Sequence, residues 1–373
     1  MKFSINKNTL LQTLLEHNKV VPLRTSLPVL SCAFFEIGDE KITIKTTDLE
    51  QTIISSCETK TEGSTTVALP LSKLLEIVSV LPDEEIFFEI SDQFLVEINS
   101  RQGVYKISGR KGEDFPTTPE IKNTEEIKLN TKDLFSIIEK TGYAASKDDL
   151  KPALCGVYLN FMLDKIIAVA TDGHKLAKTV LNNKNQTKKE KALVVPLKFL
   201  NIIKDQTKNN EEVSVEITAN HIQTKQGKTT TISRIINEQF PDFNSVIPED
   251  NNIQAKVNTK KMIECLKRVS IFSNKTTKQT ILSFSTKGIL FSAEDIETAT
   301  SAKEHLDCVF QGEEITTSYN AKYLIELLQH LNSKETTIYL KSALTAALFK
   351  PTKEEAEEET TALLMPIRLN KNV

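Results

Sequence analysis

One phrase recurs three times in this chain at nearly constant spacing, and that repeat limits the available folds more than any other feature. Its first marker is an alternating run that ends in Asn and then turns helical: Lys2-Phe-Ser-Ile-Asn-Lys-Asn-Thr-Leu10, Glu126-Ile-Lys-Leu-Asn-Thr-Lys-Asp-Leu134 and Gln254-Ala-Lys-Val-Asn-Thr-Lys-Lys-Met262. The second is a lysine near the start of an apolar helix, at Lys73-Leu-Leu-Glu-Ile77, Lys198-Phe-Leu-Asn-Ile202 and Lys322-Tyr-Leu-Ile-Glu326. A third is a strand that runs into an acid, at Asp48, Asp172 and Asp295. All three markers step by roughly 123 to 128 positions, about the size of one ordinary domain. The chain therefore reads as three tandem copies of one domain, spanning 1–122, 123–249 and 250–373, with boundaries where turn and polar residues gather near Pro116, Pro119, Pro248 and Asn252.

A chain of 373 residues exceeds what one hydrophobic core serves, which agrees with three domains. Within each copy the apolar residues repeat at helical spacing twice, at 9–15 and 72–81, at 131–141 and 197–204, and at 259–269 and 321–331. Asn8 or Thr9 caps the first of these helices, and Pro82 stops the second. Between them lie alternating runs such as 42–46, 86–90 and 213–217, the pattern of half-exposed antiparallel strands. No regular strand-helix alternation of the parallel kind appears. Each copy is thus read as α+β, with two helices packed on antiparallel sheet.

Composition excludes several classes. The start, Met1 to Lys7, carries no apolar leader, and no stretch approaches the ~18 apolar residues of a spanning helix, so a cytoplasmic protein with no membrane partner is expected. Cys32, Cys57, Cys155, Cys265 and Cys308 are scattered and never form a Cys-x-x-Cys pair, which reads as free thiols in a reducing compartment. His17, His221, His305 and His330 are far apart with no metal-ligand spacing, and no glycine-rich phosphate cradle is present, so neither metal nor cofactor is expected. Net charge is −3, with an acidic first third, a basic middle third and a nearly neutral last third that contains the run Glu354-Glu-Ala-Glu-Glu-Glu359, read as a solvated loop.

The most catalytic-looking segment is Ala168-Val-Ala-Thr-Asp-Gly-His-Lys-Leu-Ala177, where Asp172 and His174 have the spacing of an acid/base pair and Thr171 carries a candidate nucleophilic hydroxyl. Asp48 and Asp295 hold the same place in the other copies without a histidine, so the acid reads as turn architecture and no catalytic residue is assigned. Two further features stand outside the repeat. The C-terminal Ala362-Leu-Leu-Met-Pro-Ile-Arg-Leu369 is apolar almost to the end; it completes a last sheet, edges a groove for an apolar partner peptide, or does both. Arg24 lies in a polar turn, facing solvent or phosphate, while Lys73, Lys198 and Lys322 recur on related helices and suit sequence-independent contact with a nucleic-acid backbone.

Taken together, the segment at Ala170–Ala177, Phe240-Pro-Asp-Phe243, Leu27-Pro-Val-Leu30 and the terminal Met365-Pro-Ile-Arg-Leu369 resemble the bacterial DNA polymerase III beta subunit, the sliding clamp, from Met1 to Leu369. The resemblance implies three clamp domains per chain, dimerising head to tail into a pseudo-sixfold ring around double-stranded DNA. It implies a non-catalytic processivity factor whose partners are the polymerase III catalytic subunit, the clamp loader, and other polymerases and repair proteins carrying short linear motifs. The peptide pocket it implies comprises Leu154, Thr171, Gly173, His174, Lys175, Leu176, Pro241, Val246 and Leu344, with Leu363, Leu364, Met365, Pro366, Ile367, Arg368 and Leu369 of the tail. Arg24 matches a DNA-contacting position, and the dimer interface brings Tyr105 of one chain to Ile271 and Phe272 of the other. Departures are Ser245 and Thr277, where better-known members carry Arg and Phe, Asp148, where a neutral polar residue would aid DNA contact, and the extension Asn370 to Val373. Two other readings remain: a hydrolytic Asp172–His174 pair, and a peptide-binding scaffold without a ring.

Overall fold

A computed structural model describes residues 1–38, 40–122, 124–182, 190–208, 210–353 and 357–369. Residues 370–373 of the terminal extension and 354–356 of the acidic run lie outside the described residues. Six α-helices are present among the described residues: α1 (Lys7–Asn18), α2 (Leu71–Val80), α3 (Thr131–Thr141), α4 (Leu197–Gln206), α5 (Thr259–Val269) and α6 (Ala321–His330). The chain forms two compact units, one of Met1–Thr131 with Asn201–Ile235, the other of Lys132–Leu200 with Ile236–Val373.

The helix starts follow from the asparagine that closes the preceding strand. Asn6 is extended (φ −62°, ψ 133°), and its side-chain oxygen accepts from the Asn8 and Thr9 amides at 2.9 and 3.2 Å. The cap of α1 is therefore Asn6, not Asn8 or Thr9, because only a residue still in strand geometry can turn its side chain onto the first free N–H groups. Asn258 and Asn320 cap α5 and α6 in the same way. Helix α2 starts at Leu71, one residue before the expected start, following Pro70; α4 runs two residues further than expected, and α6 ends one residue early at His330. Leu10, Leu14 and His17 form the buried stripe of α1.

In the first unit, a five-stranded sheet runs Thr61–Glu62, Lys2–Asn6, Glu85–Ile90, Leu95–Asn99, Val104–Ser108. A nine-stranded sheet runs Arg110–Lys111, Thr65–Pro70, Cys32–Gly38, Lys41–Thr47, Gln51–Glu58, Thr229–Arg234, His221–Gln226, Glu212–Ile217, Glu125–Asn130. In the second unit, a nine-stranded sheet runs Lys191–Pro196, Gly156–Phe161, Lys165–Thr171, Lys175–Asn182, Glu358–Leu364, Ala347–Pro351, Glu335–Leu340, Ile253–Asn258, Val309–Gln311. Its companion is a four-stranded sheet of Thr300–Leu306, Gly288–Asp295, Gln279–Ser285, Ile315–Asn320. The pairings that carry these sheets are antiparallel, as the alternating sequence runs require.

Strand register makes the repeat concrete. Asn6, Asn130 and Asn258 end their strands opposite Glu85, Glu212 and Glu335. Ile44, Ala168 and Phe291 pair on one side with Phe35, Leu159 and Leu282, and on the other with Ser55, Thr179 and Glu304. Counting on from those three residues, Asp48, Asp172 and Asp295 occupy one structural place. The lysines do not: Lys198 and Lys322 are the second residues of α4 and α6, whereas Lys73 is the third of α2, where Ser72 holds the equivalent position. One residue is about 100° of rotation on a helix, so Lys73 projects from a different side of its helix.

Both units bury a helix-side core. Phe3, Phe35, Ile44, Phe88, Leu10, Leu74 and Val78 belong to the first, and Met262, Phe284, Phe291, Tyr319, Leu324, Phe349 and Leu364 to the second. Within the described part of the acidic run, Glu357 and Glu359 are exposed, as a solvated segment requires, while the Glu358 side chain turns inward. Glu358, 9% exposed, accepts from Lys140 Nζ and from the Ser136 hydroxyl of α3, both at 2.7 Å. A carboxylate enters that apolar strand edge because a cation and a hydroxyl from the neighbouring helix replace its water. All five cysteines are free, with Cys32, Cys57 and Cys265 buried and the other two half-buried. No described helix is long and apolar enough to cross a membrane.

Candidate functional site

On the face of the second nine-stranded sheet opposite the helices lies a separate apolar cluster. Val169, Leu176, Val194, Phe240, Leu348 and Leu363 are buried in it, with Leu154, Tyr158, Phe243 and Ile247 packed against them. Leu176 is register-paired with Leu363, so the two project side by side from adjacent strands. Tyr158 stacks on Phe240 at 5.3 Å and meets Phe243 at 5.7 Å, and Lys178 Nζ lies 5.6 Å over the Phe243 ring. Strands that are apolar on both faces are the sequence signal for this second layer. Phe240 and Phe243 were legible only as part of the resemblance, and Leu348, Val169 and Tyr158 were missed.

The structure thus brings Leu154, Leu176 and Leu363 together. Pro241, Val246, Leu344 and Met365 are exposed, and Pro366, Ile367 and Leu369 half-buried. Strand alternation separates two expected pocket residues from the rest. Lys175 and Leu364 are paired with one another and point to the opposite, helix-side face. Lys175 is 5% exposed, with Nζ 2.5 Å from Glu326 Oε2, 4.0 Å from Asp172 Oδ2, and 5.4 and 5.1 Å from the Tyr143 and Tyr323 ring centres. Burial beside Glu326 and Asp172 also raises the Tyr143 hydroxyl well above its ordinary range.

The segment 171–175 is a turn whose side chains satisfy its own backbone. The Thr171 hydroxyl donates to the Lys175 carbonyl at 2.7 Å and accepts from Gly173 N at 3.1 Å. Asp172 Oδ1 accepts from the His174 and Lys175 amides at 2.8 and 2.9 Å. In the first copy, Thr47 and Asp48 make the same four bonds around residues 47–51. His174 Nδ1 is 4.0 Å from Asp172 Oδ1, beyond hydrogen-bond reach, and its side chain is 69% exposed. The Thr-Asp pair builds a turn, and no nucleophile-base geometry is present there. Gly173 sits at φ +91°, a conformation that favours glycine, with open space where a side chain would begin.

The tail is held along two strands. Met365 N donates to the His174 carbonyl at 2.9 Å, Ile367 N to the Ser318 carbonyl at 2.8 Å, and the Ser318 hydroxyl to the Ile367 carbonyl at 2.8 Å. Arg368 is exposed beyond them. At the departures, the Ser245 hydroxyl donates to the Asp242 carbonyl and Thr277 N to Asn274 Oδ1, so both close local turns.

Arg24 is exposed in the loop after α1, and Lys73, exposed, pairs with Glu76 at 2.6 Å. Lys198 and Lys322 are exposed at the starts of α4 and α6. Tyr105 lies on Val104–Ser108, the terminal strand of the five-stranded sheet, and Ile271 and Phe272 lie exposed on the turn Ser270–Phe272. Among the described residues no three His, Cys, Asp or Glu side chains gather as a metal site would.

Comparison with known proteins agrees along the whole chain. Residues 1–119, 128–242 and 244–368 match the N-terminal, central and C-terminal domains of the DNA polymerase III beta subunit. A beta sliding clamp of Staphylococcus epidermidis is 24% identical over 99% of both chains. The sliding clamp of Bacillus subtilis superposes with a TM-score of 0.91 at 24% identity, covering 99% of this chain and all of that one. The clamp of Bartonella birtlesii bound to griselimycin gives 0.92 at 23% identity with the same coverage. With three domain matches in order and a shared fold from end to end, the chain belongs to the DNA polymerase III beta subunit family.

Proposed function

We propose that this protein is a DNA sliding clamp, a non-catalytic processivity factor. Two chains, each with domains 1–122, 123–249 and 250–373, close head to tail around duplex DNA in the cytoplasm. The ring tethers the polymerase III catalytic subunit, the clamp loader and other polymerases and repair proteins, which insert apolar peptide anchors between Leu154, Leu176, Leu363 and the Met365–Leu369 tail. Arg24, Lys73, Lys198 and Lys322 contact the DNA backbone without reading sequence. A closed ring holds DNA topologically, so a net charge of −3 is no obstacle.

The observation that carries this reading is a pairing rule with one term left open. Strand Gln51–Glu58 of the first copy pairs with Thr229–Arg234 of the second, and Lys175–Asn182 of the second with Glu358–Leu364 of the third. Each junction joins equivalent strands of successive copies. Their remaining equivalents are Thr300–Leu306 and Val104–Ser108, and both are terminal strands of their sheets. The second unit's nine-stranded sheet is four strands of one copy and five of the next; the four- and five-stranded sheets are the same two halves. Joined between protomers, they complete a third nine-stranded sheet and cover two edges that would otherwise invite aggregation. The register follows. Thr231 faces Ile53 and Ala362 faces Ala177, so Tyr105 faces Ala302 of a second protomer, on the side where Ile271 and Phe272 are exposed.

Solution mass together with retention on nicked circular and linearised DNA, after loading by a clamp loader, tests this. A dimer held on the circle and lost from the linear form is expected. A monomer, or equal retention on both, favours the scaffold reading.

A further inference from the structure

We propose that Lys175 is a positioning residue for the peptide pocket, acting from the far side of the sheet rather than by touching the peptide. The inference rests on the reading of the groove as a peptide site. Lys175 is paired in register with Leu364, one strand over, and its ammonium is enclosed by Glu326 at 2.5 Å and the rings of Tyr143 and Tyr323. A cation removed from water stays where its partners are, so Glu326 and Tyr323 of α6 fix where the Lys175 backbone sits. Tyr143 is itself fixed by stacking on His330, at 4.5 Å and 7° between planes.

From that anchor the constraint passes to the rim through two further contacts. Asp172 Oδ2 lies 4.0 Å from the Lys175 ammonium, while Oδ1 holds the His174 and Lys175 amides. The carbonyl of His174 then receives Met365 N at 2.9 Å, where the tail leaves its strand for the rim. A third-copy helix thereby sets a second-copy turn, and that turn sets the tail. Without Glu326, the ammonium's nearest remaining carboxylate is Asp172, and moving toward it disturbs the atom that closes the turn. His174 and Met365 would shift together, displacing the stretch of rim that they form relative to Leu176 and Leu363.

The test measures griselimycin binding by calorimetry and the exchange rate of the Met365 amide in wild type, Lys175→Met, Lys175→Arg, Glu326→Gln and the Lys175→Met/Glu326→Gln double variant. Lys175→Met and Glu326→Gln should each weaken griselimycin about tenfold and speed Met365 exchange by a similar factor. Lys175→Arg should stay within about threefold, and the double variant should be no weaker than Lys175→Met alone. Wild-type affinity in Glu326→Gln alongside lost affinity in Lys175→Met would mean that Lys175 touches the ligand, which overturns the proposal. If wild type itself does not bind griselimycin, the peptide-site reading fails separately. Met365 exchange then decides the positioning role, and an unchanged rate in Glu326→Gln sinks it.

Discussion

Lys140 Nζ of α3 lies 2.7 Å from Glu358 Oε1 at the start of the last strand, with the two side chains 15% and 9% exposed. The pair ties a middle-copy helix to a last-copy strand inside one sheet-and-helix layer. Asp133 stands on the same helix, and its carboxyl is raised by burial and by the nearby charges of Glu358 and Glu357. Removing Lys140 therefore leaves the largely buried Glu358 carboxylate without the ammonium that faces it. Lys140→Met should cost about 2–4 kcal/mol at neutral pH, and denaturant titration should show the deficit shrinking as the carboxyls protonate in acid. Asp133→Asn should stabilise at neutral pH by up to about 1 kcal/mol, discounted for its partial exposure. Because the folded-state pKa of Asp133 is raised, that gain is largest above it and fades as pH falls toward the ordinary carboxyl value of 3.8.

His17 is fully buried, with Nδ1 2.8 Å from the Thr46 hydroxyl and Nε2 3.1 Å from that of Ser55, which in turn meets the Thr229 hydroxyl at 2.9 Å. Burial lowers its pKa from 6.5 to about 3. The unfolded chain binds this proton more readily, so the stabilisation from neutral His17 is complete above pH 6.5 and lost as pH falls toward 3. Thermal melts from pH 7 to 4.5 should fall more steeply for wild type than for His17→Gln, by at most ~1.4 kcal/mol per pH unit. Parallel curves would remove His17 as the cause.

The inter-protomer register proposed above makes a sharp prediction for cross-linking. In Tyr105→Cys/Ala302→Cys, mild oxidation should yield covalent dimers on a denaturing gel. Tyr105→Cys/Ser301→Cys should not, since adjacent strand residues project to opposite faces. Tyr105→Arg should instead give monomers by light scattering, with little change in the melting of the separate chains.

On the proposed peptide-site reading, Met365→Ala with Leu369→Ala should weaken an apolar polymerase peptide about tenfold or more while the mass stays that of the proposed dimer. Loss of the dimer in this variant would refute the site assignment, because Met365 and Leu369 belong to the groove rim in that reading.

Charge reversal at Lys198 and Lys322 should reduce retention on circular DNA more than reversal at Lys73. Lys73 stands one helix position off its counterparts and so projects from a different side of its helix. Each effective reversal should also lower the salt dependence of DNA association, by roughly one unit of log–log slope. Equal effects at all three sites would show that helix register does not matter there.

Sequence alone determined what short-range physics can encode. The triplicated phrase set the number of copies, alternation marked the strands, 3.6-residue periodicity marked the helices, and the Thr-Asp pair at 171–172 could be read as a turn because its bonds reach only as far as Lys175. Ends of helices shifted by a residue or two where a strand-end asparagine or proline took over the cap. Only the tertiary structure decided which strands of different copies meet, and hence which side chains share a face. Lys175 and Leu176 are neighbours in sequence, yet one is caged with Glu326 and the other lies in the apolar cluster with Leu363. Glu358 looks like solvent in its acidic run, but Lys140, far away in the chain, makes it interior. Alternation fixes that successive residues part to opposite faces, but pairing with distant strands fixes what each face meets.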